Sequence, residues 1–437
     1  MISSVRKKSV LAAVAVTSFA LVASAVPANA VDGVSATEIK LGITVPQTGP
    51  ASPGYNKVAP AMKAYFDYIN ANGGVYGRKI NLIIKDDQYK TQTSIDATND
   101  LLLEDKVFAL VGQLGTANHI AVTSKVQLAK RGGGGVPSIY LNTGFSEFAD
   151  KSKYPTSFMH FPSYAAEAKV LAAYIKENFP GQKTCYLAQA DDFGDDGAKG
   201  FAAAGLTFGE TPIRYVSGSQ SPAAALGWVQ KLSGANCKVV VAFSVSSATA
   251  ALLNAAASQK YAPQWVLGSV GADPTTIRIA AANPQASALL NGAISASWLP
   301  DPADTKDRYV KFFREVNANY NNNVDFDANV MVGMNAGMLT VQALRAAGKN
   351  PTRQSLINAI ETKGRTFASA AFAPNGVSKT SHAGYTGFWI GKFNAAGAQI
   401  PVDADRTIYV TDSASGPVNK VAPKRAKLPA KGIPTNS

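Results

Sequence analysis

The sequence predicts an α/β protein with two lobes, each built on a parallel β-sheet that is covered by helices on both faces. Two observations predict this fold. Buried-type apolar strands alternate with amphipathic helical stretches, and this alternation runs through one series and then starts again. The 437-residue chain is also too long for one compact core, because single domains usually hold ~100–200 residues.

The first 30 residues are predicted to be a secretory signal peptide that is cut after Ala30. Residues 6–8 are basic, residues 10–26 form an apolar stretch with small side chains, and Ala28-Asn29-Ala30 supplies an A-x-A cleavage pattern. A transmembrane anchor is the alternative, which the short, Ala- and Ser-rich stretch disfavours. No later segment offers ~18 consecutive apolar residues, so the mature chain is not expected to span a membrane.

The first series of elements predicts the first lobe. Met62, Phe66 and Ile69 recur at helical spacing, and the glycine pair after Asn72 ends that helix because glycine readily adopts a left-handed cap. Further helices are expected at 94–104 and 117–130. The strands predicted around these helices are 39–45, 80–85, 107–112 and 137–142.

The second series predicts the second lobe, in which Ser163 is placed to cap the first helix. A helical block at 306–320 and 330–347 arrives too late in the chain to belong simply to this lobe, and we expect it to return to the first. The composition after Asp412 turns to Ser, Pro, Lys and Ala, which predicts a basic, disordered tail at 413–437. The other predicted elements are strands at 184–188, 213–216, 238–243, 265–268, 388–393 and 407–410, and helices at 198–205, 222–232 and 247–258.

The positive charge does not indicate a nucleic-acid partner. The formal net charge is +13, of which three charges lie at residues 6–8 and five lie in the tail, where there is no Asp or Glu. The sequence has no stripe of Lys or Arg interleaved with aromatic residues, which is the pattern typical of nucleic-acid binding. We therefore expect no nucleic-acid partner.

Signatures of common enzyme classes are missing from the sequence. The three histidines are widely spaced, and no HExxH, zinc-type Cys/His cluster, G-x-S-x-G, Walker A or strand-following G-x-G-x-x-G motif occurs. Asp86-Asp87 and Asp191-Asp192 stand where predicted strands end, and acids are common there as turn and cap residues. Catalysis or a calcium or magnesium site is the alternative for either pair. We expect no enzyme activity, no cofactor and no metal.

The chain has only two cysteines, Cys185 and Cys237, so the lipid-anchoring cysteine that many exported proteins carry after the signal peptide is absent. Cys185 opens the first strand of the second lobe, and Cys237 precedes its third. In the 2-1-3 strand order common to doubly wound sheets these strands are neighbours, ~4.8 Å apart. We predict a disulfide, which export to an oxidising compartment allows. Two buried free thiols are the alternative.

Small polar loops follow three predicted strands of the first lobe, at 46–50, 113–116 and 142–144. Ligands of open parallel sheets bind at the carboxyl ends of the strands. Thr116 begins a predicted helix, and the first N–H groups of a helix suit an anion such as a carboxylate. The three loops together predict a ligand site, although each residue alone could equally be a helix cap.

Over about residues 37–412 the chain resembles the periplasmic substrate-binding proteins of the branched-chain amino acid transporter family. The resemblance implies a type I periplasmic binding protein fold, with two Rossmann-like lobes joined by a three-crossover hinge and a ligand cleft between them. Lobe 1 is expected at 31–160 plus about 299–385, and lobe 2 at 161–298 plus about 386–412. The matching segments are 39–43, 48–50, 69–78 (INANGGVYGR), 86–87, 110–112 and 192–194.

The resemblance also implies which residues bind the ligand. Gly115 and Thr116 match a segment that binds the ligand carboxylate, and residues 141–143 match a second such segment. Phe193 matches an aromatic residue that covers the ligand from the other lobe, and Tyr55 lies in a loop that often packs on it. The predicted ligand-binding set is Tyr55, Gln113, Leu114, Gly115, Thr116, Leu141, Asn142, Thr143, Phe193 and Val270.

Val270 marks a departure from the family pattern. Amino acid binders of this family place an acidic residue at about this position, where it pairs with the ligand ammonium. A buried ammonium without a counter-charge is costly. Either Asp191, Asp192 or Asp273 substitutes for the missing acid, or the ligand is not an α-amino acid. Aromatic acids, amides and urea-like compounds are the alternatives.

These observations predict the extracytoplasmic solute-binding component of an ABC importer. It would be a monomer in the periplasm, in the cell envelope or outside the cell, and it would deliver a small amino acid-like or carboxylate ligand to membrane permease and ATPase subunits. A ligand-sensing receptor module is the first alternative, and the lack of a following transmembrane helix weighs against it. A secreted hydrolase is the second, which the missing catalytic motifs disfavour.

Overall fold

The computed structural model describes residue 1, residues 31–132 and residues 134–435. The predicted signal peptide lies outside the described residues, apart from Met1. Within the described ranges, no helix combines the length and the apolar character needed to cross a membrane.

The first lobe is built on a five-stranded parallel sheet with the spatial order β2-β1-β3-β4-β5. The four strands predicted for this lobe are confirmed to within a few residues, whereas the last strand of the sheet is too short to be recognised from its pattern. The strands are β1 (Glu38–Val45), β2 (Lys79–Asp86), β3 (Ala109–Val111), β4 (Ser138–Leu141) and β5 (Ser157–Met159). The helices between them are α1 (Ser52–Tyr55, a single turn), α2 (Val58–Ala71), α3 (Thr91–Leu103) and α4 (Thr116–Lys125).

The second lobe contains a nine-stranded sheet. Its parallel part has the order β7-β6-β8-β9-β10, and antiparallel strands extend it beyond β10. The strands are β6 (Thr184–Gln189), β7 (Ile213–Tyr215), β8 (Val239–Phe243), β9 (Gln264–Leu267), β10 (Ile294–Ser297), β11 (Gly387–Phe393), β12 (Gln399–Pro401), β13 (Ile408–Val410) and β14 (Asn419–Val421). The helices are α5 (Tyr164–Asn178), α6 (Asp192–Ala203), α7 (Pro222–Gly234), α8 (Ser246–Ser258), α9 (Pro274–Ala281) and α10 (Pro284–Ala288). The predicted cap is confirmed, because the Ser163 hydroxyl accepts from the Ala166 N–H at the start of α5.

The chain passes between the lobes at 160–163, 298–307 and 364–386, which confirms the three-crossover hinge. Between the second and third passages it forms α11 (Arg308–Tyr320), α12 (Ala328–Ala346) and α13 (Arg353–Lys363). The predicted return to the first lobe is confirmed, because α12 packs along α2. At Gly333 a Cβ would lie 2.2 Å from the Val58 carbonyl oxygen, so glycine is required at this helix contact. The residue limits of each lobe stay a prediction from the sequence.

The predicted disulfide is confirmed. Cys185 and Cys237 are bonded, with their Cα atoms 5.9 Å apart. Cys185 is the second residue of β6 and Cys237 lies two residues before β8, and these strands are hydrogen-bonded parallel neighbours, as the 2-1-3 order requires. Both cysteines are buried at the amino-terminal end of these strands. The bond therefore lies at the opposite end of this sheet from its carboxyl edge, where the predicted ligand residues Phe193 and Val270 follow β6 and β9.

The prediction of a disordered tail is wrong for the described residues 413–435. Strand β14 pairs with β13, and the chain then continues onto the first lobe. There Arg425 forms an ion pair with Asp307, and the Tyr65 hydroxyl donates to the Gly432 carbonyl at 2.8 Å. Composition missed this order because the contacts that hold the tail on the first lobe join it to residues more than a hundred positions away in the sequence. The segment is a fourth connection between the lobes.

Candidate functional site

A cavity of about 300 Å³ lies between the two lobes. Its inner end is formed in the first lobe by Leu114 and Gly115, which follow β3, and by Asn142, which follows β4. Tyr164 and Phe193 close this end from the second lobe, with their ring centroids 4.6 Å apart. The cavity therefore begins at the carboxyl ends of the strands, where the sequence predicts a ligand site.

The lobes are closed around this cavity. The Tyr55 hydroxyl, at the end of α1, donates to the Val270 carbonyl of the second lobe at 2.9 Å. The Ala328 N–H, at the start of α12, donates to the Asp273 carboxylate at 3.2 Å. Burial raises the pKa of the Tyr55 hydroxyl well above its usual value, so this group stays protonated and remains a donor. Both contacts would break if the lobes separated.

Helix α4 begins at the inner end of the cavity without a side-chain cap. Its N-cap is Gly115, at φ 107°, a backbone conformation that favours glycine. A Cβ at this position would also lie 2.9 Å from the Tyr89 ring. The first N–H groups of a helix have no partner within the helix, and the helix dipole adds positive character there. This end of the cavity is therefore suited to an anionic group.

Three hydroxyl groups form a chain beside the start of α4. The Oγ1 atoms of Thr116 and Thr143 are 2.6 Å apart, and the Tyr164 hydroxyl donates to Thr143 Oγ1 at 3.3 Å. Burial raises the pKa of Tyr164 to about 12, so its hydroxyl carries a proton at neutral pH. The chain links the loops after β3 and β4 to the start of α5.

The structure brings part of the predicted ligand-binding set together. Four predicted residues do not line the cavity. Thr116 and Thr143 form the hydroxyl chain, the Gln113 amide donates to Thr44 and Thr98 inside the first lobe, and Leu141 packs in an apolar cluster. Ligand contact by any member of the set stays a prediction. The six that line the cavity are Tyr55, Leu114, Gly115, Asn142, Phe193 and Val270.

Several aromatic residues of the cavity wall were not predicted. Phe161 and Trp298 lie on the first two crossovers, with ring centroids 5.3 Å apart. Tyr89 follows β2 in a left-handed conformation, at φ 59°. Their positions depend on where the chain crosses between the lobes and on an irregular turn. Neither feature leaves a periodic signal in the sequence.

Of the three acids suggested as substitutes at the Val270 position, only Asp273 lines the cavity. Its two oxygens accept the backbone N–H groups of Thr276, at 2.6 Å, and Ala328, at 3.2 Å. Two further acids line the cavity and also have protein partners. Asp327 pairs with Lys57 at 2.6 Å, and Asp301 accepts two backbone N–H groups. None of these carboxylates follows β9 at the Val270 position.

A buried carboxyl group supports the loop that contains Val270. The Glu167 side chain, on α5, accepts the Ser269 backbone N–H at 2.6 Å and the Ser269 hydroxyl at 2.9 Å. Burial raises the pKa of Glu167 to about 7, and the two hydrogen bonds from Ser269 oppose this shift. Glu167 thus positions a loop of the cavity wall, and its charge changes close to neutral pH.

We expect Glu167 to make the protein less stable as the pH rises towards neutral. Because its pKa is higher in the folded than in the unfolded protein, the folded state binds the proton more tightly. The contribution to stability is complete below the unfolded pKa of ~4.3 and is lost as the pH rises through about 7. The expected loss is on the order of 3 kcal/mol.

The measurement is urea unfolding of the wild type and of Glu167→Gln between about pH 4.5 and 8. Burial also raises the pKa values of Asp87 and Asp327 to about 6, so the wild type alone does not isolate Glu167. The difference in the free energy of unfolding between the two proteins removes those contributions. A difference that is constant with pH would contradict the assignment.

The fold and the cavity define a class of protein: two α/β lobes, joined by a hinge, that close over a small molecule. Within residues 31–132 and 134–435, no group of three or more His, Cys, Asp or Glu side chains is arranged to hold a metal ion. The chain belongs to the periplasmic binding protein family, whose model matches residues 38–398.

Known relatives agree with this membership. A "Leu/Ile/Val-binding protein homolog 3" of Brucella melitensis biotype 1 is 24% identical over 205 residues, 46% of this chain, and the match spans only about half (53%) of that relative. The structure of a branched-chain amino acid ABC transporter from Thermus thermophilus, with bound valine, has a TM-score of 0.74 and 19% sequence identity to this chain. The match covers 87% of this chain and 98% of the Thermus thermophilus chain. A fatty acid ABC transporter substrate-binding protein from Thermomonospora curvata has a TM-score of 0.73 at 19% identity, and the match covers 89% of this chain and 97% of that one. The structural matches show a shared fold.

Proposed function

We propose that this protein is the extracytoplasmic solute-binding component of an ABC importer. It captures a small carboxylate by closing its lobes and delivers it to membrane permease and ATPase subunits. The observation that carries the proposal is the uncapped start of α4 at the buried end of a cavity between two closed lobes. Membership of the periplasmic binding protein family and the names of the relatives support it.

The cavity wall suggests how closure would be coupled to binding. The carboxylate accepts N–H groups at the start of α4, and the rings of Tyr164 and Phe193 cover the ligand from the second lobe. A ligand that contacts both lobes binds the closed state better than the open state and shifts the population towards it. The hydrogen bond from Tyr55 to the Val270 carbonyl forms only in the closed state and adds to its stability.

The apolar residue at position 270 favours a ligand without an α-ammonium group. Val270 stands where amino acid binders carry an acid, and its carbonyl already accepts the Tyr55 hydroxyl. Asp273 accepts two backbone N–H groups, which leaves fewer of its lone pairs for a ligand ammonium. Burying an ammonium group that does not contact a carboxylate directly is costly. We therefore propose aliphatic or aromatic carboxylates as ligands, and leucine and valine as weaker ones.

A thermal-shift screen of the mature protein, followed by calorimetry, tests this ligand class. The probes are leucine and valine, the matching acids without the amine, phenylacetate, and the amides of these acids. A ligand at a concentration 100-fold above its Kd stabilises the protein by ~2.7 kcal/mol, which such a screen detects. We expect the acids without the amine to bind best. Micromolar binding of leucine, with no binding of these acids, would contradict this proposal and make Asp273 the counter-charge of the ligand ammonium.

Calorimetry with a confirmed ligand also tests whether the start of α4 is the anion site. Thr116→Val removes the hydrogen bond to Thr143 that holds the start of α4 against the loop after β4, and should weaken carboxylate binding by ~1 kcal/mol. Thr123→Val is the matched control, because the Thr123 hydroxyl donates to the His119 and Ile120 carbonyls within α4. Equal affinities in the two variants would remove Thr116 from the site.

The importer role is tested separately: cells that lack the protein should lose uptake of the labelled ligand, whereas unchanged uptake would favour a sensing role.

A further inference from the structure

The cavity continues beyond the inner end described above. Its outer half follows the second crossover, between α9, the start of α12 and the loop that joins β11 to β12. Ala303 and Ala396 line it and are exposed, so this half opens at the protein surface even though the lobes are closed. Apolar side chains from all of these segments line the outer half, among them Pro274, Pro300, Pro302, Phe326, Met331 and Phe393.

The charged groups along the outer half are engaged with the protein itself. The Arg314 guanidinium donates to the Pro302 carbonyl at 2.8 Å and lies 4.7 Å from the Phe326 ring centroid. Arg278 donates to the carbonyls of residues 395 and 396, at 2.8 Å each. The Asp301 carboxylate accepts the Gln399 N–H at 2.7 Å. These bonds hold the second crossover and the β11–β12 loop in place, so the passage is formed before a ligand enters it.

The size of the cavity exceeds the needs of a compact ligand. A cavity of ~150 Å³ is large enough to bind benzene. The cavity here measures about 300 Å³ and extends from the buried Gly115 to the exposed Ala303. A branched-chain amino acid held at the inner end would not reach the outer half of the cavity.

We propose that the outer half is a subsite for the apolar distal part of an elongated monocarboxylate, whose carboxylate lies at the start of α4. This inference rests on the proposed function, because it takes the inner end as the anion site. Each CH₂ group that moves from water into the apolar passage strengthens binding by about fourfold. Affinity therefore rises with chain length until the tail reaches the mouth at Ala303.

Calorimetry on the mature protein with butanoate, hexanoate, octanoate and decanoate tests the subsite. We expect the Kd to fall by about fourfold for each added CH₂ over the part of the series that fills the passage. Ala303→Trp places a large side chain at the exposed mouth, where it does not disturb a packed core. It should weaken decanoate binding by about sixteenfold, the effect of displacing two CH₂ groups, and leave butanoate unchanged. Ala303→Ser is the matched control, and Tm values show that both variants fold.

The outcomes separate the two proposals. If butanoate binds but longer acids bind no better, or if Ala303→Trp and Ala303→Ser bind decanoate equally, the subsite is wrong and the proposed function stands. If no carboxylate of any length binds, both proposals fail. A rise in affinity along the series that Ala303→Trp removes, with butanoate unaffected, supports both.

Discussion

Replacing Cys185 and Cys237 by alanine should lower the free energy of unfolding by about 4 kcal/mol, the largest effect on stability that we predict for this protein. The bond closes a loop with a sequence separation of 52, and in the chain-entropy model a loop of that size gives about this value. Both side chains are almost fully buried, so alanine is a better replacement than a polar residue. The measurement is urea unfolding of the oxidised wild type and the double variant.

Ligand affinity is the control measurement for the disulfide variant. The bond lies at the amino-terminal end of β6 and β8, whereas the cavity opens at the carboxyl ends of the strands. Ligand affinity should therefore stay within about twofold of the wild type while stability falls, since distant sites are usually independent. A double variant as stable as the wild type, or two thiols that titrate in denatured, unreduced protein, would contradict the prediction.

Arg425→Ala should destabilise the protein by about 3 kcal/mol, because it leaves the buried Asp307 carboxylate without its cation. The guanidinium forms a two-pronged ion pair with Asp307, and it lies 4.4 Å from the Tyr309 ring centroid and 4.9 Å from that of Phe372. Burial raises the pKa of Asp307, but the hydrogen bonds and charge of Arg425 outweigh this and hold the pKa below its usual value. The carboxylate is thus charged in the folded protein and depends on its partner.

Lys427→Ala is the matched control, because it removes a positive charge from an exposed position two residues further along the same tail. Surface substitutions of this kind usually change stability by less than about 0.5 kcal/mol. Thermal unfolding of both variants and the wild type is the measurement. Equal and small effects at the two positions would mean that the tail does not hold the first lobe, and the fourth connection between the lobes would have no energetic role.

The sequence alone determined those features that depend on short-range pattern. The apolar strands of the first lobe and the helical spacing of Met62, Phe66 and Ile69 are local signals, because a strand or helix must bury one face wherever it is placed. The Ser163 cap is equally local, since its partner is three residues away. The disulfide needed one further step, the 2-1-3 strand order, which is common to doubly wound sheets. The prediction that the ligand site lies at the carboxyl edge of the first sheet followed from the same doubly wound arrangement.

The tertiary structure decided everything that depends on partners far apart in the chain. Gln113 and Leu114 are neighbours in one loop, yet only Leu114 lines the cavity, because Gln113 is hydrogen-bonded inside the first lobe. The tail is ordered by Asp307 and Tyr65, which composition could not reveal. Closing a long loop costs conformational entropy that only specific contacts at its ends can offset, and those contacts do not exist until the lobes have formed. For the same reason the length of the cavity along the second crossover became visible only in the folded protein.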